Sequence, residues 1–422
     1  MISLMMGRLR WLLHWALPVF CGATSIPVSA QLFTDRTEAS STGVLGLYST
    51  GCSWGDYDGD GLLDLYVTNW GTATSSPVNS LFHNDGDNLF SDRSMDAGVD
   101  VRGNSSAAAF ADYDNDGAVD LYVADFYEQD RLFKNTSAGT FTEVGRSQGL
   151  TDLVRQGSVV SLAWGDYDND GFLDIYLGKY YFANDFYTNR GDGTFARVSD
   201  VGISDGRDAI DVSWFDYDND SDIDLFVANG HIIDNVESFR DNVTYAQPNH
   251  LYRNEGAVFQ EVHEAMGPGF EPLKVSRGSS IGDLDKDGDI DLIVTNNNQT
   301  ADYLRNDGGN LAGHWIQLRL VGRTANRAAV GARVLVIPLP AGSTPGAAAR
   351  ELPIVAEVKA GSSYCSSSDL QLHIGLGTAS AALLTIHWPG GRVERLGRLV
   401  GNRAYVLQEA RGVVAQRGPT SR

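Results

Sequence analysis

Aspartates recur at positions one, three, five and nine of a short segment five times in this chain. The sets are Asp56, Asp58, Asp60 and Asp64; Asp112, Asp114, Asp116 and Asp120; Asp166, Asp168, Asp170 and Asp174; Asp216, Asp218, Asp220 and Asp224; and Asp283, Asp285, Asp287 and Asp291. Successive copies start 56, 54, 50 and 67 residues apart, the mark of a repeated unit. Alternate carboxylates in so short a loop aim at one point, and hard oxygen ligands in that number suit Ca²⁺ better than the smaller Mg²⁺. A backbone carbonyl at position seven (Leu62, Ala118, Phe172, Asp222 or Asp289) would help to complete each cage. Without a cation, carboxylates about 4 Å apart repel by about 1 kcal/mol in water and about 4 kcal/mol near a protein surface. The expectation is up to five bound calcium ions. An EF-hand is excluded, because it needs a bidentate Glu at position twelve and flanking helices, where this chain has Val67, Val123 and Leu177 in strand-like sequence.

Position six is glycine in four copies, which permits the positive φ that folds a loop around an ion. Ser221 stands there in the fourth copy and must accept a left-handed backbone at some cost, so a merely solvated acidic turn is most plausible for that copy. Each loop is preceded by a run of small or apolar residues, such as 158–164, and followed by an alternating stretch, such as 65–68 or 175–177. A third segment then ends in Asn84, Asn135, Asn189, Asn254 or Asn306, and glycine-rich turns lead to a fourth, such as 140–144. Four short strands per ~50 residues, repeated radially, predict an all-β propeller of five blades. Trp54, Trp164 and Trp214, with Phe110 and Ile281 at the same register, are expected to pack between blades. The fifth copy lacks a fourth strand, and residues 31–37 resemble the missing one: Phe33 to Arg36 mirror Phe90 to Arg93. The N-terminal strand is therefore expected to close the ring, beside 303–305, and so to protect a sheet edge.

These repeats resemble the FG-GAP/VCBS repeats of integrin α-subunit propellers. With Asn229-Gly230-His231, Gln247-Pro248-Asn249, Arg277-Gly278 and the C-terminal Gly331, Gly361-Ser362, Gly375, Gly377 and Trp388 to Gly391, the chain is identified as a member of the cartilage acidic protein 1 group carrying an ASPIC/UnbV domain. The resemblance implies an extracellular or envelope location, calcium-binding repeats and adhesive or scaffolding roles. It names no agreed biochemical activity for the C-terminal domain. From the residues themselves, 315–320, 332–337, 383–388 and 404–407 alternate as strands of a small β-sandwich, and His314, His373 and His387 lack ligand-like spacing.

Charge divides the chain in the same way. Residues 311–422 hold 13 Lys and Arg against 5 Asp and Glu, whereas 31–310 hold 17 against 49. So acidic a segment repels a phosphate backbone, which argues against a nucleic-acid partner. The basic C-terminal part is expected to dock on the acidic propeller. Residues 1–30 read as a signal peptide, with Arg8 and Arg10, an apolar run and a cleavage site near Ala30, and no transmembrane segment is expected in the mature form. The chain thus divides into 1–30, a propeller at 31–310, a β domain at 311–412 and a tail at 413–422, with a secreted, periplasmic or cell-surface destination. Cys52 and Cys365 are expected as buried free thiols.

In an antiparallel blade the Asp loops occupy the first turn, so the variable second turns, including 70–79, 179–185 and the insertion 229–249, gather on the opposite face. That face is where a protein or glycan ligand is expected, since function concentrates in loops on a rigid scaffold. The leading expectation is a calcium-binding adhesion or scaffolding protein without enzymatic activity. The alternative is a polysaccharide-cleaving enzyme using Tyr180, Tyr181, His231, Asp234 or Glu237, although no nucleophile, base and orienter converge in the sequence. A flat or aromatic face there favours binding, and a carboxylate pair in a cleft favours hydrolysis.

Overall fold

The computed structural model describes residues 37–42, 48–71, 77–87, 89–136, 139–150, 158–199, 201–203, 208–241, 243–342, 352–361 and 366–419. The chain forms two compact units, Met1–Thr37 and Glu38–Arg422, and the second holds the elements below. The signal-peptide reading and residues 31–36 of the expected closing strand lie outside the described residues.

Repetition of the loop produces repetition of the sheet. The first blade is Tyr48–Gly55, Asp64–Trp70, Ser80–Gly86 and Leu89–Asp92, and the second is Ser105–Ala111, Asp120–Asp125, Arg131–Asn135 and Phe141–Glu143. The third is Ser158–Gly165, Asp174–Tyr180, Asp185–Asn189 and Phe195–Arg197, and the fourth Ala209–Phe215, Asp224–Asn229, His250–Asn254 and Phe259–Glu261. The fifth sheet has three described strands, Ser276–Gly282, Asp291–Asn296 and Asp302–Leu304. Every Asp loop joins the first strand of its sheet to the second. The helical turn Thr37–Ser40 follows Arg36 as Ser94–Ala97 follows Arg93, which extends the mirrored pattern read at the N-terminus.

Apolar cores lie between blades. Tyr66 and Leu81 of the first pack with Leu121 and Phe133 of the second, Tyr122 and Leu132 with Leu162 and Ile175, Tyr176 and Phe186 with Val212 and Leu225, and Phe226 and Leu251 with Leu292 and Val294. Phe110, Trp164 and Trp214, before the second, third and fourth loops, do pack across this seam. A Cβ on Gly55 would sit 2.7 Å from the Phe110 ring, and one on Gly165 2.9 Å from Trp214, so the glycine that ends one inner strand makes room for its neighbour's ring. Such interdigitation leaves no space for a larger residue.

The C-terminal region is a sandwich of two four-stranded sheets. One contains Leu372–Gly377, His314–Val321, Arg403–Gln408 and Gly412–Arg417; the other Ile354–Glu357, Arg333–Leu339, Ala381–His387 and Val393–Val400. His314–Val321 runs parallel to Arg403–Gln408, and all other pairs are antiparallel. Ile316, Leu318, Leu320 and Leu407 of the first sheet meet Val334, Val336, Leu384 and Ile386 of the second. Pairing of Gly412–Arg417 continues past residue 412, where the sequence suggested that the domain ends.

The inner strands of the first and last blades are both bonded to one C-terminal segment. The Trp54 N–H donates to Ala360 O at 3.0 Å; Ser280 Oγ donates to Ser367 O at 2.9 Å and Asp369 N–H to Ile281 O at 3.3 Å. Cys52 is exposed, which corrects the expectation of a buried thiol: that side of the first inner strand faces the chain at Gly361 instead of a preceding blade. Cys365 lies outside the described residues.

Glu409 ties the end of the last long strand to the turn beneath the first Asp loop. Its buried carboxylate accepts N–H bonds from Arg323 (2.7 Å), Thr324 (2.8 Å) and Ala325 (3.1 Å), and the Thr324 hydroxyl. Burial pushes this carboxyl up, but the Thr324 hydroxyl and the three amides outweigh it and hold it down at about 2. A folded pKa below the unfolded value gives stability that is present above pH 4.5 and lost as pH falls toward 2. Glu409→Gln is therefore expected to cost roughly 1.5–3 kcal/mol at pH 7, measured from urea midpoints, with the gap to the parent narrowing as pH falls below 4.5.

Candidate metal centres and the opposite face

Each Asp loop closes on its own backbone in the same way. The first Asp accepts the N–H of the sixth residue: Gly61 to Asp56 (3.1 Å), Gly117 to Asp112 (3.1 Å), Gly171 to Asp166 (3.1 Å), Ser221 to Asp216 (2.9 Å) and Gly288 to Asp283 (3.2 Å). The fifth accepts the N–H of the seventh, at 2.7–3.1 Å for Asp60, Asp116, Asp170, Asp220 and Asp287. These bonds turn the peptide planes so that the carboxylates lean inward. Ligand atoms of Asp56, Asp58 and Asp60, of Asp112, Asp114 and Asp120, and of Asp166, Asp168 and Asp174 lie within 4.8 Å of one another. Position six is left-handed throughout, at φ 91° for Gly61, 95° for Gly171 and 89° for Ser221, so the serine adopts the strained conformation expected of it.

Burial is the main reason that several of these carboxyls are hard to ionise, and like charge adds to it. Burial and the Asp60 carboxylate push Asp56 up to about 6; Asp166 rises to about 7 and Asp120 to about 8, again chiefly through burial. Asp216 and Asp224 are pushed well up by burial, then by Asp220 and by Asp216 respectively. In the fifth loop, Asp283 and Asp291 are raised by burial and by Asp287 and Asp285. Buried oxygens of Asp56, Asp114, Asp166 and Asp218 (Oδ1 in each case) have no hydrogen-bond donor. Inward-facing, undonated carboxylate oxygens fit a hard divalent cation.

Two features of these loops escaped the sequence reading. The ninth Asp is a brace: its Oδ2 accepts the N–H of loop residue two (Tyr57, Tyr113, Tyr167, Tyr217 or Leu284) and its Oδ1 the N–H of the third-strand Asn, at 2.7–3.3 Å. That Asn then bonds to the neighbouring blade. Nδ2 of Asn135, Asn189, Asn254 and Asn306 donates to the carbonyl of Tyr57, Tyr113, Tyr167 and Tyr217, the residue after the first Asp of the preceding loop, at 2.7–2.8 Å. The repeated Asn in the sequence was its only signal. The residue before that Asn also reaches the loop: His83 Nδ1 is 3.1 Å from Asp64, Lys134 pairs with Asp114 and Asp116, and Arg305 lies 3.6 Å from Asp285. In the third blade the position is Thr188, an uncharged side chain.

The sandwich covers the Asp-loop face. Arg333 donates to Gly171 O, Gln317 Nε2 to Asp283 at 2.7 Å, and Lys359 Nζ to Trp164 O at 2.5 Å. His373 is 2.6 Å from Asn219 Oδ1, the Trp315 indole lies over Gly288, and Thr324 O over Gly61. Burial holds the His373 ring neutral, lowering it to about 3, and Asn402 bonds His314, so both are structural histidines. Glu357 and Lys359 enter together, with burial raising the carboxyl to about 7 and lowering the ammonium.

On the opposite side an aromatic band crosses four blades. Trp70 packs against Phe126 (4.9 Å, tilted) and Tyr127 (5.7 Å, edge-on), Phe126 lies 6.1 Å from Tyr180, and Arg240 covers the Tyr181 ring at 4.3 Å. Tyr127, Phe182, Ile232 and Phe239 project from it, each at least 43% exposed. Of the residues considered for catalysis, Tyr180 and His231 meet at 3.0 Å but are buried, with Asp208 at 3.8 Å from the imidazole. Glu237 is exposed and accepts the Tyr245 N–H at 2.7 Å, and Asp234 is exposed.

A family model for FG-GAP-like repeats matches residues 56–123, 112–177 and 181–227, and one described as ASPIC and UnbV matches 322–414. The chain is 26% identical to cartilage acidic protein 1 of Xenopus tropicalis over 80% of its length and 51% of the relative's, and 26% identical to the Homo sapiens protein over 84% and 52%. It thus spans about half the length of these relatives. A solved structure similar to it is the V. cholerae biofilm matrix protein Bap1, at 13% identity and a TM-score of 0.39, covering 84% of this chain and 63% of that one.

Truncating one Asn brace strands carbonyls in two blades. Asn189→Ala removes bonds to Tyr113 O and Leu173 O and leaves both buried, an expected cost of roughly 2–4 kcal/mol. Asn84, whose Nδ2 donates to Leu63 O within its own blade, is expected to cost less on the same change, with urea midpoints as the measure.

Proposed function

We propose that this chain, an FG-GAP-repeat protein with a C-terminal ASPIC/UnbV region, is an exported calcium-loaded adhesion or scaffolding protein that holds a protein or glycan of the envelope or matrix on its aromatic face. One observation carries the reading: the sandwich occupies the Asp-loop face and leaves the band from Trp70 to Phe239 open on the other side. Exposed aromatics beside an Arg suit the apolar faces of sugar rings or an apolar protein patch, since they offer large contact area at small entropic cost. The second turns that carry them belong to four different blades, so ligand affinity depends on how firmly the blades are held together.

Calcium supplies charge compensation in this reading. The first, third and fifth Asp of each loop would hold it, and the ninth would position the loop as well as ligate. The cation lets the carboxylates ionise together in a buried site, firming the surface on which Arg333, Gln317 and His373 rest. Among the described residues no helix is long and apolar enough to cross a membrane.

At about tenfold saturation each ion adds about 1.4 kcal/mol, and five ions about 7 kcal/mol, comparable with a domain's whole stability. Chelator is therefore expected to lower Tm by about 10 °C; an unchanged melt refutes the calcium reading. The third blade, with Thr188 in place of a cation, is expected to bind most tightly, and Lys134→Thr to strengthen the second site severalfold in calcium titration calorimetry, because it removes a competing ammonium. For the ligand face, Trp70→Ala with Tyr127→Ala is expected to abolish retention on a glycan array or matrix extract while leaving Tm in calcium within a few degrees; retention unchanged by the pair counts against this face.

A further inference from the structure

Outside the Asp loops, the outer edge of the fourth blade brings two imidazoles and a carboxylate together. In the antiparallel pair His250–Asn254 with Phe259–Glu261, Tyr252 stands opposite Glu261, and the Val262 N–H donates to Leu251 O, so the pairing continues one step further. His250, two residues before Tyr252, is thereby brought beside His263, two residues after Glu261, and all four side chains share one face. The two imidazole rings stack at 4.8 Å and 9°. Both Nδ1 atoms lie near the same oxygen, His263 Nδ1 at 2.6 Å and His250 Nδ1 at 3.6 Å from Glu261 Oε1. One ligand atom from each of the three lies within 4.8 Å of the others. The Tyr252 hydroxyl is 2.9 Å from His250 Nδ1.

We propose that His250, Glu261 and His263 form a site for a borderline divalent metal ion of the zinc type, separate from the Asp loops. Ligands about 2.0–2.1 Å from a tetrahedral metal stand about 3.3 Å from one another, and the observed 2.6 and 3.6 Å bracket that separation. Two imidazoles and a single carboxylate are the donors that Zn²⁺ takes, with water in the fourth position, whereas Ca²⁺ and Mg²⁺ ask for oxygen throughout. His250 is buried, His263 partly so and Glu261 exposed, so solvent reaches the fourth position.

Sibling blades fill this corner differently. The third has the Lys179, Asp185 and Arg197 ion triad, the first has Ser94 donating to Asp92 and capping Leu81 N–H, and the fifth pairs Lys274 with Asp302. In those three blades the corner is closed by complementary charges or by hydroxyls. In the fourth blade it is built from imidazoles that can both ligate, and a metal ion would clip the third and fourth strands together beyond the insertion 229–249.

The test uses the untagged full chain, saturated with Ca²⁺ so that the Asp loops are filled, and Co²⁺ as the probe. One Co²⁺ per chain with the visible absorption of a low-coordinate complex, displaced by Zn²⁺, is expected. His263→Gln and, at the exposed position, Glu261→Gln are each expected to weaken Co²⁺ binding at least tenfold without changing the calcium-dependent melt; if one variant does not fold, the other decides. Absorption no different from aqueous Co²⁺, or a spectrum and affinity unaltered in the variant, overturns the proposal. Because the readout is taken in excess Ca²⁺, its failure is distinguishable from failure of the calcium reading.

Discussion

A carboxylate enters a protein interior only if its oxygens are satisfied, and in this molecule that requirement is met by the ninth Asp of each loop. One oxygen takes an amide from the loop and the other an amide from the third strand, so the loop, the second strand and the third strand are held by a single side chain. The Asn that gives the second amide then reaches, in four blades, to the preceding blade's loop. Together with other polar contacts between neighbouring sheets, such as Ser106 Oγ to Val159 O and Asn169 Nδ2 to Asp222, these bonds fix the sheets in angle and height. The burial that firms the joint is also what makes ionisation of Asp64, Asp120, Asp174 and Asp224 costly.

This electrostatic cost explains where the sandwich sits. A face of converging carboxylates attracts a positively charged neighbour, and the C-terminal region carries an excess of basic residues. Yet few of its contacts are simple surface ion pairs, which contribute little on their own. Arg333 and Lys359 donate to backbone carbonyls, Gln317 meets a carboxylate as a neutral amide, and His373 stays neutral. Long-range charge favours the approach, and directional hydrogen bonds with the Trp315 and Gly288 contact fix the pose. One consequence is topological: Ala360 bonds to the inner strand of the first blade, and Ser367 and Asp369 to that of the last, so the second domain joins the ends of the blade series.

With one face covered, the other stays open, and the side chains there follow from the blade geometry. Second turns of neighbouring sheets converge on that face, so Trp70, Phe126, Tyr180 and Tyr181, distant in sequence, form one band. Tyr180 and His231 are its buried floor and the exposed rings its surface. Of the residues considered for catalysis, Tyr180 and His231 are thus buried, whereas Asp234 and Glu237 are exposed.

The sequence by itself determined the repeat, the strand order within each blade, the turn that carries the Asp loops, the left-handed position of Ser221 and the sandwich, because all of these are local: alternation sets strands, and the loop's carboxylates bond to amides only a few residues away. Tertiary structure alone decided what depends on pairs far apart in the chain. That Asn135 reaches Tyr57, that Cys52 lies exposed beside Gly361, that His250 meets His263 across a ladder, and that the sandwich rests on the Asp loops are consequences of register and docking. No period or composition encodes those, since each is fixed by the fit of surfaces that exist only once the blades have formed.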